Sequence, residues 1–486
     1  SARLRAWWAA QSKGGEARFY VLPGDVVRFE IKSAGSYQTG VAKVRFEGGR
    51  IAGLAPVEEY TATASKPLFR DVTGAMFEGV ASFRGQLARG VPYWVGRLDP
   101  ATGMDFYGSN GIAAGDMDGD GIDEIYVCQP GGLPNRLYKN VCGRFVDISA
   151  KAGVDFLDST SAALFLDLRN TGRQDLVILS GSGPTLCLNN GDGTFRIRND
   201  AFRFRTLPQG AFTGMAAADY DRDGKLDIYL CCYLFFQSEA QYRYPLPYHD
   251  ARNGPPNFLF RNLLEPDGSG TLDDVTEETG LNQNNDRYSF APAWCDYDGD
   301  GWPDLYVAND FGRNNLYKND RGHFRDIAAE AGVEDMGPGM SAAWFDYDGD
   351  GRPDLYVSNM WSDSGQRVSR SPKFQPAQGP GMAEAYRRHT KGNSLYRNRG
   401  DATFTETDAE QGVQFGRWAW SADGHDFDCD GSPEIFVIIV MMTISTESDL
   451  SSFFWRQVVA KSPIVAKPEP AYEKGWNAIN QFFRQG

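Results

Sequence analysis

Five stretches of this chain read Asp-x-Asp-x-Asp-Gly-x-x-Asp/Glu and run directly into a short apolar segment; they begin at Asp116, Asp219, Asp296, Asp346 and Asp426. A degraded sixth copy begins at Asp167. A hard cation such as Ca²⁺ takes about six to eight oxygen ligands. Carboxylates at positions 1, 3, 5 and 9, with a backbone carbonyl at position 7, can wrap one such ion within a single loop. The expected ligands are Asp116, Asp118, Asp120, Ile122 and Glu124 in the first copy and Asp219, Asp221, Asp223, Lys225 and Asp227 in the second. They are Asp296, Asp298, Asp300, Trp302 and Asp304 in the third, and Asp346, Asp348, Asp350, Arg352 and Asp354 in the fourth. The last copy offers Asp426, Asp428, Asp430, Ser432 and Glu434. Ile122, Lys225, Trp302, Arg352 and Ser432 would contribute only their carbonyls. Glycine at position 6 (Gly121, Gly224, Gly301, Gly351, Gly431) permits the sharp turn. The copy at Asp167 keeps acids only at positions 1 and 9, with Arg169 and Thr171 at 3 and 5. Arginine there puts positive charge where the ion would sit, so about five ions are expected and none at Asp167.

A longer repeat surrounds each loop. Before it stands a strand of small and aromatic residues such as Ser341–Phe345, and after it one such as Leu305–Ala308. An Asn-x-Leu-aromatic-x-Asn strand follows at 135–140, 257–262, 314–319 and 393–398. A Phe-x-Asp strand or a variant of it begins at Phe145, Phe324 and Phe404 and leads into a Gly-Val turn. Successive first aspartates lie 51, 52, 77, 50 and 80 residues apart. Four short antiparallel strands per unit of this length describe the blades of an all-β propeller. An EF-hand is excluded, because its bidentate Glu at position 12 is replaced by Val127, Leu230, Val307, Val357 and Val437. The flanks are also strand-like rather than helical.

The tandem DYDGDGWPDLYVANDFGRNNLYKND (296–320) and DYDGDGRPDLYVSN (346–359) resembles the FG-GAP/VCBS-repeat propellers, which include the integrin α-subunit head. Within them it is most similar to the ASPIC/UnbV-type, cartilage-acidic-protein-like branch. The resemblance runs over roughly residues 68–440 and implies seven blades. It leaves biological role open, because one fold hosts many functions.

Three regions are expected: a β-rich, non-repeat segment 1–65, the propeller 66–441, and a helical segment 442–486 that reads as an insertion or a truncated end. In the first region, Arg18–Leu22, Val26–Ile31 and Val41–Phe46 look like strands. Phe69–Thr73 matches the fourth strand of a blade and reads as the lone outer strand that closes a ring. Only six first-and-second-strand pairs are visible, and nothing after Met441 resembles a third or fourth strand. Further polypeptide, another chain, or residues 17–54 would have to fill the gap; the last of these lack the blade signature.

Insertions account for the two long periods. Residues 235–256 are rich in Tyr and Pro, and residues 361–392 are basic, with Arg367, Arg370, Lys373, Arg387, Arg388 and Lys391. Both fall between second and third strands, on the face opposite the acidic loops, which makes that face the expected contact surface for a protein or glycan partner. Two helices are expected at 450–460 and 471–485. The stripe Tyr472, Trp476, Ile479 and Phe483 of the second would pack on the propeller rim or on a partner protein.

The net charge of −15 is largely site carboxylate, which five divalent ions would bring to about −5. Nothing points to nucleic acid, and no run of apolar residues is long enough for a transmembrane helix. The chain starts at Ser1 without a leader and reads as the mature form of a secreted, periplasmic or cell-surface protein. Its seven cysteines form no framework and are expected mainly as buried or semi-buried thiols. Catalytic motifs are lacking. His249 beside Asp250 is expected as an exposed loop histidine rather than an acid–base pair, and His425 as packing near its loop. The reading is a non-catalytic, calcium-stabilised binding or assembly module. The rival is a polysaccharide- or ester-cleaving hydrolase or lyase on a propeller scaffold.

Overall fold

The repeat folds into a series of antiparallel sheets, numbered here as blades I to VI. The computed structural model describes Trp8 and residues 16–485 other than 23, 34–35, 64–68, 91–92, 95–96, 98–110, 182, 236–243, 376–378, 440–449, 466 and 468. Blade I comprises Ile112–Gly115, Glu124–Val127, Arg136–Val141 and Arg144–Asp147. Blade II comprises Thr160–Leu166, Asp175–Ser180, Gly183–Asn189 and Phe195–Arg198. Blade III comprises Gly210–Ala218, Asp227–Phe235, Phe258–Asn262 and Leu272–Asp274. A fifth strand that the repeat does not announce, Phe202–Arg203, lies parallel to its outer edge. Blades IV (Tyr288–Cys295, Asp304–Phe311, Asn315–Asp320, His323–Asp326) and V (Gly339–Phe345, Asp354–Asn359, Ser394–Asn398, Phe404–Glu406) repeat the pattern. Blade VI has two strands among the described residues, Ala419–His425 and Glu434–Ile439.

Alternation along the second strand explains how the sheets stack. Side chains of a strand point alternately to its two faces. In blade IV, Leu305 and Val307 enter a cluster with Tyr220, Tyr229 and Leu259 of blade III, while Tyr306 enters one with Leu355, Val357 and Phe404 of blade V. Both faces are therefore buried, and the core is a series of sandwiches between consecutive blades rather than one central mass. Neighbouring first strands lie side by side from blade I to blade VI. No hydrogen bond or ion pair among the described residues joins blade VI to blade I.

The N-terminal region forms its own four-stranded meander, Glu16–Leu22, Val26–Ser33, Ser36–Glu47 and Arg50–Thr63. The last strand was not expected, because it contains Pro56, which lacks the N–H a ladder needs. A register shift resolves the conflict: Val41 pairs with Glu58 but Ala42 with Pro56, so Val57 bulges out. This sheet docks on blade V and the turn after it. Tyr20 meets Trp361 and Phe415 edge-on at 5.0 and 5.6 Å, and Arg417 Nε donates to Glu30 at 2.7 Å. These strands therefore do not complete blade VI.

Phe69–Val72 is not part of a hydrogen-bonded strand, which corrects the expectation of a lone outer strand. Its ring nevertheless packs on blade VI, 5.1 Å from Phe427 and 5.7 Å from Phe436.

The helical segment begins after the second strand of blade VI, the point at which the insertions leave blades III and V. All three meet in one layer. The helices Leu450–Gln457 and Pro470–Gln485 bring Trp455, Val458, Val459 and Tyr472 into a buried cluster with Tyr244, Leu246 and Tyr248 of one insertion and Val368, Phe374 and Tyr386 of the other. Trp476 stacks on Tyr244 at 5.4 Å, and Tyr472 donates to the Pro245 carbonyl at 2.8 Å. The expected stripe thus faces the protein's own insertions at Tyr472 and Trp476; the side chains of Ile479 and Phe483 lie outside the described residues. His249 is 7% exposed, against the expectation of an exposed histidine, and its ring packs 4.9 Å from that of Tyr386 in the other insertion.

All seven cysteines are free. Cys128, Cys187, Cys231 and Cys232 are buried, Cys295 is half-buried, and Cys142 and Cys429 are exposed. Burial pushes the Cys128 and Cys187 thiols up to about 12, which makes them unreactive packing groups.

Candidate metal centre

Each acidic loop is built around its first aspartate. Asp116 Oδ1 accepts the N–H groups of Gly119 and Asp120 at 2.8 and 3.1 Å, and Oδ2 that of Gly121 at 2.9 Å. Asp346 repeats the arrangement with Gly349, Asp350 and Gly351 at 2.8, 3.0 and 2.7 Å. Backbone donors can converge this way because positions 4 and 6 both lie in the left-handed region, as at Gly299 (φ 74°) and Gly301 (φ 88°). Position 4 was not singled out from the sequence, since Arg222 and Cys429 also adopt that conformation there, at φ 58° and 60°.

The loops then gather carboxylates. One oxygen each from Asp116, Asp118 and Glu124 lies within 4.8 Å of the others, as do those of Asp219, Asp221 and Asp227, of Asp346, Asp348 and Asp354, and of Asp426, Asp428 and Glu434. In blade IV the group is Asp296, Asp298 and Asp300. Five acidic clusters that could hold a metal ion thus stand where the motif placed them. The position-5 carboxylates Asp120, Asp223, Asp350 and Asp430 and the position-9 Asp304 fall outside these groups. Position 5 instead accepts the N–H of position 7: Asp120 from Ile122, Asp223 from Lys225, Asp300 from Trp302, Asp350 from Arg352 and Asp430 from Ser432, at 2.8–3.1 Å.

The donor set suits a cation. Glu124 Oε1, Asp221 Oδ1, Asp296 Oδ1 and Asp304 Oδ2 are buried without a hydrogen-bond partner, a costly arrangement for a carboxylate unless a charge sits opposite. Burial, reinforced by neighbouring carboxylates, pushes Glu124 and Asp304 up to about 7, Asp227 to about 8 and Asp354 to about 6. All-oxygen ligation matches Ca²⁺ or Mg²⁺ rather than a soft metal.

The third strand brings two further groups to the sites of blades III, IV and V, and one of them, the basic residue, to that of blade I. Its terminal Asn donates its backbone N–H to the position-9 carboxylate: Asn262 to Asp227, Asn319 to Asp304 and Asn398 to Asp354, at 2.7–2.8 Å. The basic residue just before it reaches positions 3 and 5. Arg261 lies 2.8 Å from Asp221, Lys318 pairs with Asp298 and Asp300, Arg397 lies 2.6 Å from Asp348, and Lys139 pairs with Asp118 and Asp120. The sequence carried the signal: the residue before the last Asn of the motif is Lys139, Arg261, Lys318 or Arg397 in every copy.

Blade II keeps the turn and changes the chemistry. Asp167 still accepts from Thr171 and Gly172 at 3.0 and 2.6 Å. Arg169 Nε and Nη2 grip both oxygens of Asp175 at 2.9 and 2.8 Å, with the arginine 8% and the aspartate 0% exposed. His425 is exposed and contacts the Phe427 ring at 5.3 Å, beside its loop as expected.

Two stretches of these acidic strand–loop–strand blades, residues 167–230 and 296–357, match the FG-GAP-like repeat family. The chain is similar to cartilage acidic protein 1 of Xenopus tropicalis, 31% identical over 220 residues, which is 43% of this chain and 30% of that protein. It is also similar to cartilage acidic protein 1 of Homo sapiens, 28% identical over 208 residues, 42% of this chain and 28% of that protein. The alignments therefore span less than a third of the length of these relatives. Among solved structures, an Agrocybe aegerita lectin described as recognising non-reducing terminal N-acetylglucosamine is similar over 87% of this chain and 84% of its own, at 13% identity and a TM-score of 0.36. That score is too low to fix the arrangement of the blades.

Proposed function

We propose that this chain is a calcium-stabilised, non-catalytic binding or assembly module of an exported protein. The observation that carries the reading is the set of five acidic clusters, three of which hold a buried carboxylate oxygen without a partner: Glu124, Asp221 and Asp296. Ca²⁺ fits better than Mg²⁺, because the loops are wrapped from one short segment and offer carboxylates at variable spacing rather than rigid octahedral geometry. The ions' work is structural: each cross-links the connection between the first and second strands of a blade and neutralises charges that would otherwise repel. Similarity to cartilage acidic protein 1 and to FG-GAP-like repeats supports a binding role rather than a chemical one.

The contact surface for a protein or glycan is the layer formed by residues 244–256, 361–392 and 450–476. Much of its basic character is spent internally. Arg387 pairs with Glu384, Arg367 with Asp363, and Lys391 with Glu406 and Asp408. Its outer rim still presents Ile464 and Val465, 51% and 57% exposed. A cavity of about 210 Å³ lies beside blade II, lined among others by Phe156, Asp158, Thr160 and Ser180.

Equilibrium dialysis with ⁴⁵Ca²⁺ tests the reading. About five ions should bind, and Asp298→Asn and Asp348→Asn should each remove one. Binding of no ion, or unchanged stoichiometry in both variants, would refute it.

A further inference from the structure

We propose that the cavity between blades I and II is a binding site for a single neutral sugar residue. It lies apart from the insertion layer, and the inference stands whether or not the acidic loops hold calcium.

A departure of blade II from the repeat opens this space. In blades III to V the aromatic residue of the third strand (Phe260, Tyr317, Tyr396) is buried against the preceding blade. Tyr317 reaches far enough to donate to the Gln283 carbonyl at 2.8 Å. Gln283 follows Gly280 by three residues, and Phe156 follows Gly153 by three in the corresponding turn before blade II. In blade II, however, Leu176 pairs with Cys187, where in blade IV Leu305 pairs with Tyr317. Cys187 enters the cluster with Tyr126 and Val154 of blade I, but a thiol is too short to reach the turn as a tyrosine does. A second change lies two residues earlier. Asn315 of blade IV donates to Asp326 at 2.7 Å, whereas blade II has Thr185 and Ile197 at these places, so Thr185 has no carboxylate to meet.

The cavity that results, about 210 Å³, has the volume of about seven water molecules, which suits one pyranose ring with its hydroxyl groups. Ile178 and Ser180, 2% and 7% exposed, form its floor. Phe156 and Thr185 are half-buried walls, and Asp158 and Asn199 stand exposed at the rim. No hydrogen bond or ion pair among the described residues engages the side chains of Asp158, Thr185 or Asn199. A concave site with a few convergent, uncommitted polar groups is what a small ligand needs.

The chemistry of the lining selects the class of ligand. Asp158 accepts only, while Asn199 and Thr185 both donate and accept, which matches the paired donor and acceptor character of neighbouring sugar hydroxyls. The electron-rich face of Phe156 meets the C–H face of a pyranose. A cation fits less well. The one charge among the described lining residues is on Asp158, out in solvent at the rim, and an ammonium on the neutral floor would be desolvated without a counter-charge. None of the described lining residues is basic, so an anion would meet only the repelling carboxylate. A neutral polyhydroxylated ligand satisfies every group.

Saturation-transfer NMR on the full chain in excess calcium tests this, with the methyl glycosides of glucose, galactose and mannose and their N-acetylated 2-amino analogues as probes. At least one should bind saturably at millimolar concentration and slow amide exchange at residues 156–160. Asp158→Ala and Asn199→Ala, which alter only exposed side chains, should each weaken binding about tenfold. Cys187→Tyr, which restores the repeat's own residue, should abolish it; the two rim variants decide the matter even where this third one prevents folding. Three results would overturn the proposal: no saturable binding of any probe, binding that both rim variants leave unchanged, or butylammonium binding more tightly than every sugar. The last would make the site one for a cation.

Discussion

In blade IV the loop from Asp296 to Asp304 draws three aspartates together and leaves two of its buried oxygens without partners. In blade II the loop from Asp167 to Asp175 follows the same turn, but Arg169 fills its centre and satisfies Asp175 from both sides. The two backbones match where it matters: Asn170 and Gly172 take φ of 52° and 75°, and Gly299 and Gly301 take 74° and 88°. The turn is therefore held by the first aspartate and the left-handed residues. The choice between an external cation and an internal one rests on the side chain at position 3. A guanidinium suits the internal role, because its planar fork matches a carboxylate and stays charged when buried.

Chelation should produce the largest difference between the two loops. A site held about a hundredfold above its dissociation constant contributes about 2.7 kcal/mol to stability, so removing the ions from five loops should lower the melting temperature markedly. Amide exchange should rise in loops 116–124 and 296–304 and stay constant in 167–175. Equal loosening of blade II would show that its arginine does not replace an ion.

Replacing Arg169 with Ala should destabilise the protein by about 3–5 kcal/mol in chemical denaturation, because it strands a buried carboxylate. Added calcium should recover little of this, since position 3 would offer no ligand. A loss below about 1 kcal/mol would place the worth of the pair nearer that of a surface ion pair.

The double variant Arg169→Asp/Thr171→Asp should convert the loop. Dialysis should then show one more ion than the parent, and stability should depend on calcium at blade II by about 2–3 kcal/mol. Unchanged stoichiometry would mean that neighbours of the loop, such as the Asn189 and Pro266 carbonyls that Arg169 now bonds at 3.0 and 3.2 Å, are shaped for arginine alone.

The smallest effects test the shared scaffold. Gly172→Ala in blade II and Gly351→Ala in blade V, both at position 6, place a Cβ in open space, with no atom within 4 Å. Each should therefore cost only the left-handed conformation, about 1–2 kcal/mol, and by the same amount in both blades. Unequal costs, measured in excess calcium, would show that the two turns are not equivalent.

The acidic clusters were mostly legible because each is local. Positions 1, 3 and 9 lie within nine residues, so spacing alone brings Asp346, Asp348 and Asp354 together. The four-strand unit was legible for the same reason, since its turns and alternation fall within about fifty residues. What escaped was contributed from elsewhere. Lys318 reaches Asp298 across a strand pairing, and the motif gave its identity but not its direction. The fourth N-terminal strand was hidden by Pro56, whose bulge depends on the register of its partner strand. His249 was misjudged because its ring packs on Tyr386 of the other insertion, far along the chain, and burial holds its pKa below the ordinary value.

Local spacing settled the kind of repeat, the position of the acidic loops and the degenerate chemistry of blade II, because a turn and its ligands need only neighbouring residues. The docking of the N-terminal sheet on blade V, the merging of three distant segments into one layer, and the exposure of Phe436 among the described residues were decided only by tertiary packing. Those outcomes depend on which apolar faces find each other. A face buried between two blades has the same composition as one left open, as Tyr306 and Phe436 show at equivalent positions.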